Sequence, residues 1–240
     1  MTREHQSVKE AVEIGTTLRS YWFRGHRKLV GKLLPSAHRE PFFSARENIE
    51  FWAGQRFRLR APAYVRDVPK WDDQVSWLFL AQHYGVPTRL LDWTENVLVG
   101  LYFAVTGEEQ TEDGELWSMD PAALNWHSAN CYIRFPDSAE VRLLAAPAFL
   151  KSDQLSDFRV MLSSPTINGP LALIPPMQFP RMAAQMSRFT IHLSNEPEAQ
   201  IELLPEGMNW SGIKFRLRAK LVWLGIYTDL VSRMRICIEI

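Results

Sequence analysis

Two or three arginines with hydroxyl, amide and imidazole partners can bind a pyrophosphate and a ribose. This sequence supplies such a set in Arg24, His83, Arg89, Asp92, Thr94, Arg181 and Gln185. Trp93 and Tyr84 lie beside them along the chain and offer rings for stacking. Asp92 is a candidate general base or cation stabiliser; standing ahead of an apolar helical pattern, it is equally a candidate N-cap. Arg24 follows an aromatic run and could fork phosphate oxygens or pair with an acid in a purely structural role.

Other chemistries find little support. The six histidines include no i, i+4 pair and no grouping with carboxylates at ligand spacing, so no metal is expected. A Gly-x-Ser-x-Gly elbow, a phosphate-binding glycine loop and a dinucleotide fingerprint are all missing. Cys131 and Cys237, far apart in apolar settings, read as inert thiols.

The elements that must position the polar set can be read around residues 81–105. Gln74 to Tyr84 is apolar nearly all round and reads as a buried helix, stopped by Gly85 and Pro87. Thr88 to Asp92 is extended. Asp92 with Glu95 reads as a capping-box variant opening a second helix, with Val97, Leu98, Leu101, Tyr102 and Val105 inward and an end near Gly107. Upstream, residues 1–19 read as an amphipathic helix, and Tyr21 to Arg24 as a short strand ended by Gly25 as a turn or bulge. Ser44 and Glu47 form a capping box for a helix to Arg60.

Downstream, Leu116 to Met119 reads as a strand, while residues 122–150 give mixed signals. Residues 165–180, rich in proline, read as an irregular surface segment. Phe189, Ile191 and Leu193 alternate with polar residues as in a one-sided strand. The same alternation recurs at 214–218 and 234–240, around a helical stretch at 219–226. The fold class expected is α+β, one compact domain over residues 1–240, helical early and strand-rich late.

Apolar residues at 46% and nine Trp allow a large core. No run is long and apolar enough for a membrane span, and the start lacks a signal-peptide core, so a cytoplasmic protein without membrane association is expected. The net charge is zero but uneven. Residues 1–66 hold 13 Lys/Arg against 6 Asp/Glu, and residues 67–129 hold 2 against 11. A basic N-terminal segment suits a phosphate-bearing ligand, and two such segments could equally face each other.

Phe23-Arg24-Gly25, Leu33-Leu34-Pro35-Ser36, the block from Gln82 to Thr94 (QHYGVPTRLLDWT) and Arg181 to Phe189 stand in the order of the bacterial FRG domain family, which the chain resembles over about residues 21–190. Ser187 stands where that family usually has Gly. A more distant similarity, to ADP-ribosyltransferases, lies in motif order. Arg24 ends an early strand, Thr94 leads into a helix with a Tyr-Phe-Ala ending, and the Gln185 to Thr190 step follows. That similarity implies a split sheet and NAD as co-substrate. Arg24, Tyr84, Arg89, Trp93 and Arg181 would hold the nucleotide, and Arg24, His83, Asp92, Thr94 and Gln185 would serve the chemistry. The third element shows Gln185 rather than Glu, so Asp92 or Glu202 would have to supply the acid.

The expected function is an NAD-dependent ADP-ribosyltransferase-like enzyme, a toxin or anti-phage defence effector. It would modify a nucleic acid or protein acceptor, with a defence-system protein as a possible partner. Two alternatives remain open: a metal-independent nucleic-acid-binding or RNA-cleaving protein, and a non-catalytic sensor or interaction module. Arg24, Arg89, Asp92 and Gln185 discriminate, because a site requires them to line a cleft and a folding nucleus requires them buried and paired.

Overall fold

The computed structural model describes residues 3–4, 8–18, 20–28, 33–42, 49–106, 113–132, 134–146, 167, 169–192 and 211–215. Among the described residues seven strands form one sheet: β1 (Arg3–Glu4), β2 (Trp22–His26), β3 (Leu90–Thr94), β4 (Gly114–Met119), β5 (Leu171–Leu173), β6 (Ser187–Ile191) and β7 (Ser211–Phe215). Their spatial order is β1-β7-β4-β2-β3-β6-β5, antiparallel except for the β1–β7 pair. The helices are α1 (Val8–Thr17), α2 (Ile49–Arg60), α3 (Gln74–His83), α4 (Val97–Val105), α5 (Pro121–Ala129), α6 (Ala139–Ala145) and α7 (Pro180–Ala184). The class is α+β, as the sequence implies. Helices dominate early, but the middle strands of the sheet, β2 and β3, also come from the first hundred residues.

The sheet is joined unevenly. Five registered pairs tie β3 to β6, from Leu90–Ile191 to Thr94–Ser187, and five tie β2 to β4. Between β2 and β3 a single registered pair, Phe23–Thr94, holds the two halves together. The sheet therefore splits beyond that pair, with β1-β7-β4-β2 on one side of the seam and β3-β6-β5 on the other.

Both faces are covered. On one, α3 and α6 pack over Leu90, Phe189, Ile191, Leu171 and Leu173, while α4 packs over Phe23 and Leu116. On the other, Trp22, Leu91, Trp93, Met119 and Ala172 meet Leu33 and, from α5, Leu124. Helix α3 is buried on most sides, as its all-round apolar pattern predicts: Val75 and Trp77 to Ala81 are all within the core. Each large side chain among them contributes on the order of 1.5–3 kcal/mol relative to exposure. Asp73 caps its start by accepting from the Ser76 N–H at 3.0 Å. Gly85, at φ +74°, ends it, with the Val86 N–H donating to the Ala81 carbonyl at 3.0 Å in the manner of a Schellman closure.

Several expectations shift. Asp92 does not cap α4; it is a β3 residue. The cap is Asn96, whose Oδ1 accepts from the Leu98 N–H at 2.9 Å. Gly25 is no turn but part of β2, needed for a different reason: a Cβ there would fall 1.9 Å from the Gly100 carbonyl oxygen, so α4 can rest its backbone on β2 only at a glycine. The proline-rich stretch contains β5, an edge strand paired to β6. β6 is buried on both faces, because Thr190 faces the Trp93 layer. Asp120 and Pro121 stop β4 by starting α5, the Asp120 Oδ1 accepting from the N–H groups of Ala122 and Ala123. Ser44 and Glu47, Glu202 and the stretches at 219–226 and 234–240 lie outside the described residues.

Candidate functional site

A cleft of about 410 Å³ opens along the seam. Its walls come from β2, β3, β6, the end of α3, α4 and α7, and include Arg24, Gln82, His83, Asp92, Thr94, Arg181 and Gln185. Alternation along each strand explains how the polar groups meet there. On β3, Leu91 and Trp93 point to the α5 side, and Asp92 and Thr94 point to the α3 side. On β2, Arg24 pairs with Trp117 in register and so starts from the α5 side. Where the strands part, its side chain reaches across: Nη1 donates to the Asp92 backbone carbonyl at 2.6 Å and lies 3.7 Å from Asp92 Oδ2.

Asp92 is held from the other side as well. Gln82 Nε2, on α3, donates to Asp92 Oδ2 at 2.9 Å, and the Thr88 hydroxyl in turn donates to Gln82 Oε1. The carboxylate is thus held by one hydrogen bond from Gln82 and by the ion pair with Arg24, while its side chain stays 57% exposed. Arg24 is only 16% exposed. Burial lowers its guanidinium to about 10, Asp92 opposes that, and the nearby Arg39 adds to it. The guanidinium remains charged at neutral pH. Its Nε donates to His26 Nε2 at 3.1 Å, so the His26 proton sits on Nδ1. Burial first, then Arg24 and Arg39, push His26 down to about 3, which keeps that ring neutral.

Thr94 closes the floor. Its hydroxyl donates to the Gln185 carbonyl at 2.6 Å and accepts from the Asn96 N–H at 3.0 Å, tying β3 to the α7–β6 turn and to the start of α4. Met186 takes a left-handed φ of 47° in that turn, and its carbonyl accepts from the Glu95 N–H. Ser187, where the resemblance leads one to expect glycine, is buried in β6 opposite Thr94. At the mouth, the His83 ring stacks on Phe179 with centroids 4.1 Å apart. Burial, then the charge of Arg181, hold its imidazole below the ordinary histidine value.

Three residues of the sequence-derived set fall away from a ligand role. Arg89 is fully buried, and its guanidinium and backbone N–H both bind the carboxylate of buried Glu50, with Nε to Oε1 at 2.9 Å. It is a structural ion pair, as the folding-nucleus alternative requires of it. The Trp93 ring lies in the core and donates Nε1–H to Thr190 Oγ1 at 3.1 Å, which leaves no free face for a base. Tyr84 is exposed and is not on the cleft wall; its ring stands edge-on to that of His83, 5.2 Å between centroids, and 5.9 Å from Phe57. Arg24, Asp92 and Gln185 do line the cleft. Gln82 was not among the site residues expected; its place as the penultimate residue of α3, beside a histidine, was the available signal. Among the described residues no group of three metal-ligating side chains occurs, and no helix is long and apolar enough to cross a membrane.

The structure is thus that of an α+β protein with a split sheet and an arginine–carboxylate pair bridging the split. Residues 19–113, from the approach to β2 through β3 and α4, match the FRG domain family. The step from Arg181 to Phe189 lies beyond the matched residues. No curated protein and no solved structure matches the chain.

Proposed function

We propose that the seam cleft binds NAD and that the protein is an ADP-ribosyltransferase-like enzyme. The observation that carries this reading is the Arg24–Asp92–Gln82 arrangement across a split sheet: a guanidinium and an oriented carboxylate meet in a cleft within the size range of ligand pockets. Order along the chain supports it too, since Thr94 joins β3 to α4 as the similarity in motif order implies.

In this mechanism the C1′–N glycosidic bond of NAD breaks and nicotinamide leaves with the bonding pair. Asp92 is the only carboxylate on the cleft wall among the described residues, and it stabilises the oxocarbenium-like ribose. An acceptor hydroxyl, carboxylate or ring nitrogen then forms the new bond to C1′; where that group carries a proton, it passes to Asp92. Arg24 holds phosphate or ribose oxygens, Gln185 and Arg181 face the substrate, and the neutral His83 offers a ring nitrogen to a ribose hydroxyl. The acceptor is a nucleic acid or protein, in a cytoplasmic role in bacterial conflict that the family resemblance suggests.

Isothermal titration with NAD, together with an assay for released nicotinamide, tests the reading. Wild-type protein is expected to bind at micromolar to millimolar concentration. Arg24→Ala, shown folded by circular dichroism, is expected to lose at least about tenfold in affinity, the scale of one charge-assisted contact. Unchanged NAD binding in a folded Arg24→Ala protein would remove the basis for this mechanism.

A further inference from the structure

The rings that the sequence sets beside the polar cluster, Trp93 and Tyr84, offer the cleft no face, one lying in the core and the other off the wall. The cleft has an aromatic surface of another origin. Helix α3 stands over β3, β5 and β6, and α4 stands over β2 and β4 on the same face of the sheet, so the seam between β2 and β3 runs between the two helices. The two walls differ in kind. From α3 and α7 come Gln82, His83, Arg181 and Gln185; from α4 come Val99, Gly100 and Phe103. Val99 and Phe103 are four residues apart and share one face of α4.

Exposure separates Phe103 from the other aromatic side chains lining the cleft. Phe23, Phe79, Trp93 and Phe189 are each no more than 4% exposed, which leaves a ligand an edge at most. The His83 ring has one face taken by Phe179, in a parallel stack. Phe103 is only partly buried. Its ring meets Tyr102 at 5.5 Å and 72°, an edge-to-face contact that steadies it without a parallel stack. A wall of Val99, Gly100 and Phe103 has no side-chain group to hydrogen-bond hydroxyls or phosphate oxygens, and their desolvation would go uncompensated against it. The part of a ligand that meets α4 must therefore be flat and weakly polar, while the oxygen-rich part turns to Arg24 and the α3–α7 wall.

We propose that Phe103, beside Val99, is the stacking platform for a heteroaromatic ring of a nucleotide, which lies against α4 with its sugar and phosphate toward Arg24, Gln82 and Arg181. The proposal rests on the NAD reading for the ligand being a nucleotide; the choice of Phe103 rests on the contrast between the walls. A pyridine ring and a purine present the same kind of flat face, and the positive charge of an oxidised nicotinamide adds an attraction to the phenyl face. The Tyr-Phe-Ala ending of α4 divides accordingly: Tyr102 packs against the core around Phe23 and Leu116, and Phe103 lines the cleft.

The test uses three probes that share a sugar phosphate and differ in the ring: ribose 5-phosphate, nicotinamide mononucleotide and AMP. Each is titrated by ligand-observed NMR into wild-type protein, Phe103→Leu and Phe103→Tyr, all shown folded by circular dichroism. At least one ring-bearing probe is expected to bind wild type more tightly than ribose 5-phosphate, with its ring protons moved upfield by the stack. Phe103→Leu is expected to weaken that probe by about 5- to 50-fold, to abolish the upfield shift and to leave ribose 5-phosphate unaffected, whereas Phe103→Tyr keeps both. The probe that responds identifies which ring of a dinucleotide is held. Wild type that binds none of the three, or all three alike, overturns the platform. So does Phe103→Leu with wild-type affinity and shift, or Phe103→Tyr that behaves like Phe103→Leu. A response confined to AMP, with no nicotinamide released from NAD, leaves the platform standing and removes the transferase reading. Nicotinamide release with an unchanged KM for NAD in Phe103→Leu removes the platform and leaves the transferase reading standing.

Discussion

Arg24 and Arg89 are the same residue type, both in segments dense with polar side chains, yet one faces a cleft and the other is entombed. What separates them is Glu50, which lies 39 residues before Arg89 and meets it inside the core. A buried pair of this kind is sensitive to losing one partner, because the remaining charge keeps its desolvation penalty without its compensation. Glu50→Gln should therefore lower stability by about 3–5 kcal/mol in urea unfolding. The double variant Glu50→Leu/Arg89→Met should recover much of that loss, since two apolar groups of similar size leave no orphan charge. A loss below about 1 kcal/mol for Glu50→Gln would show that Arg89 is not held by this pair. The residue types in the block from Gln82 to Thr94 announce a polar cluster. Which of them is spoken for cannot be read there, because the partner is remote in sequence.

At the scale of elements, the helix α3 and its stop were legible, since the apolar run, Gly85 and Pro87 act locally. The start of α4 was misplaced by one motif. Asp92 and Glu95 satisfy a capping spacing, but pairing to β6 draws Asp92 into a strand and leaves the cap to Asn96. Asn96→Ala should accordingly cost about 1 kcal/mol in thermal or urea unfolding, and Asp92→Ala should not destabilise α4 through loss of a cap. Equal losses for the two variants would contradict that assignment. The glycines carry a sharper expectation. An alanine methyl at Gly25 meets the Gly100 carbonyl and the Ala104 nitrogen, both helix backbone, whereas one at Gly100 meets the Leu116 and Phe23 side chains at 2.8 and 3.0 Å. Side chains yield more readily than backbone. Gly100→Ala should cost about 1–3 kcal/mol, and Gly25→Ala more than Gly100→Ala, because α4 must lift off β2 and widen the seam. No local signal in the sequence marks this contact; it arises only once α4 lies across β2.

At the scale of the whole molecule, three histidines under the seam set a pH limit on the fold. His38 packs edge-on against His192, 6.3 Å between ring centroids, and the His192 Nε2 lies 3.0 Å from Thr190 Oγ1. Burial is the leading cause in each case. With Arg89 adding to it and Glu50 opposing, it lowers His38 to about 4. His192 falls well below the ordinary value, with His38, Arg24 and Arg89 contributing, and His26 lies at about 3. In the unfolded chain these rings take up protons near pH 6.5, whereas in the fold they resist until well below that. Between pH 6.5 and 4 the unfolded state therefore binds more protons, and stability falls as the pH falls. The melting temperature should drop by at least about 5 °C from pH 7 to pH 5, a loss of a few kcal/mol in a chain of this size. His38→Gln should flatten that slope, since an amide has nothing to titrate. A melting temperature independent of pH across this interval would mean that the rings titrate alike in both states.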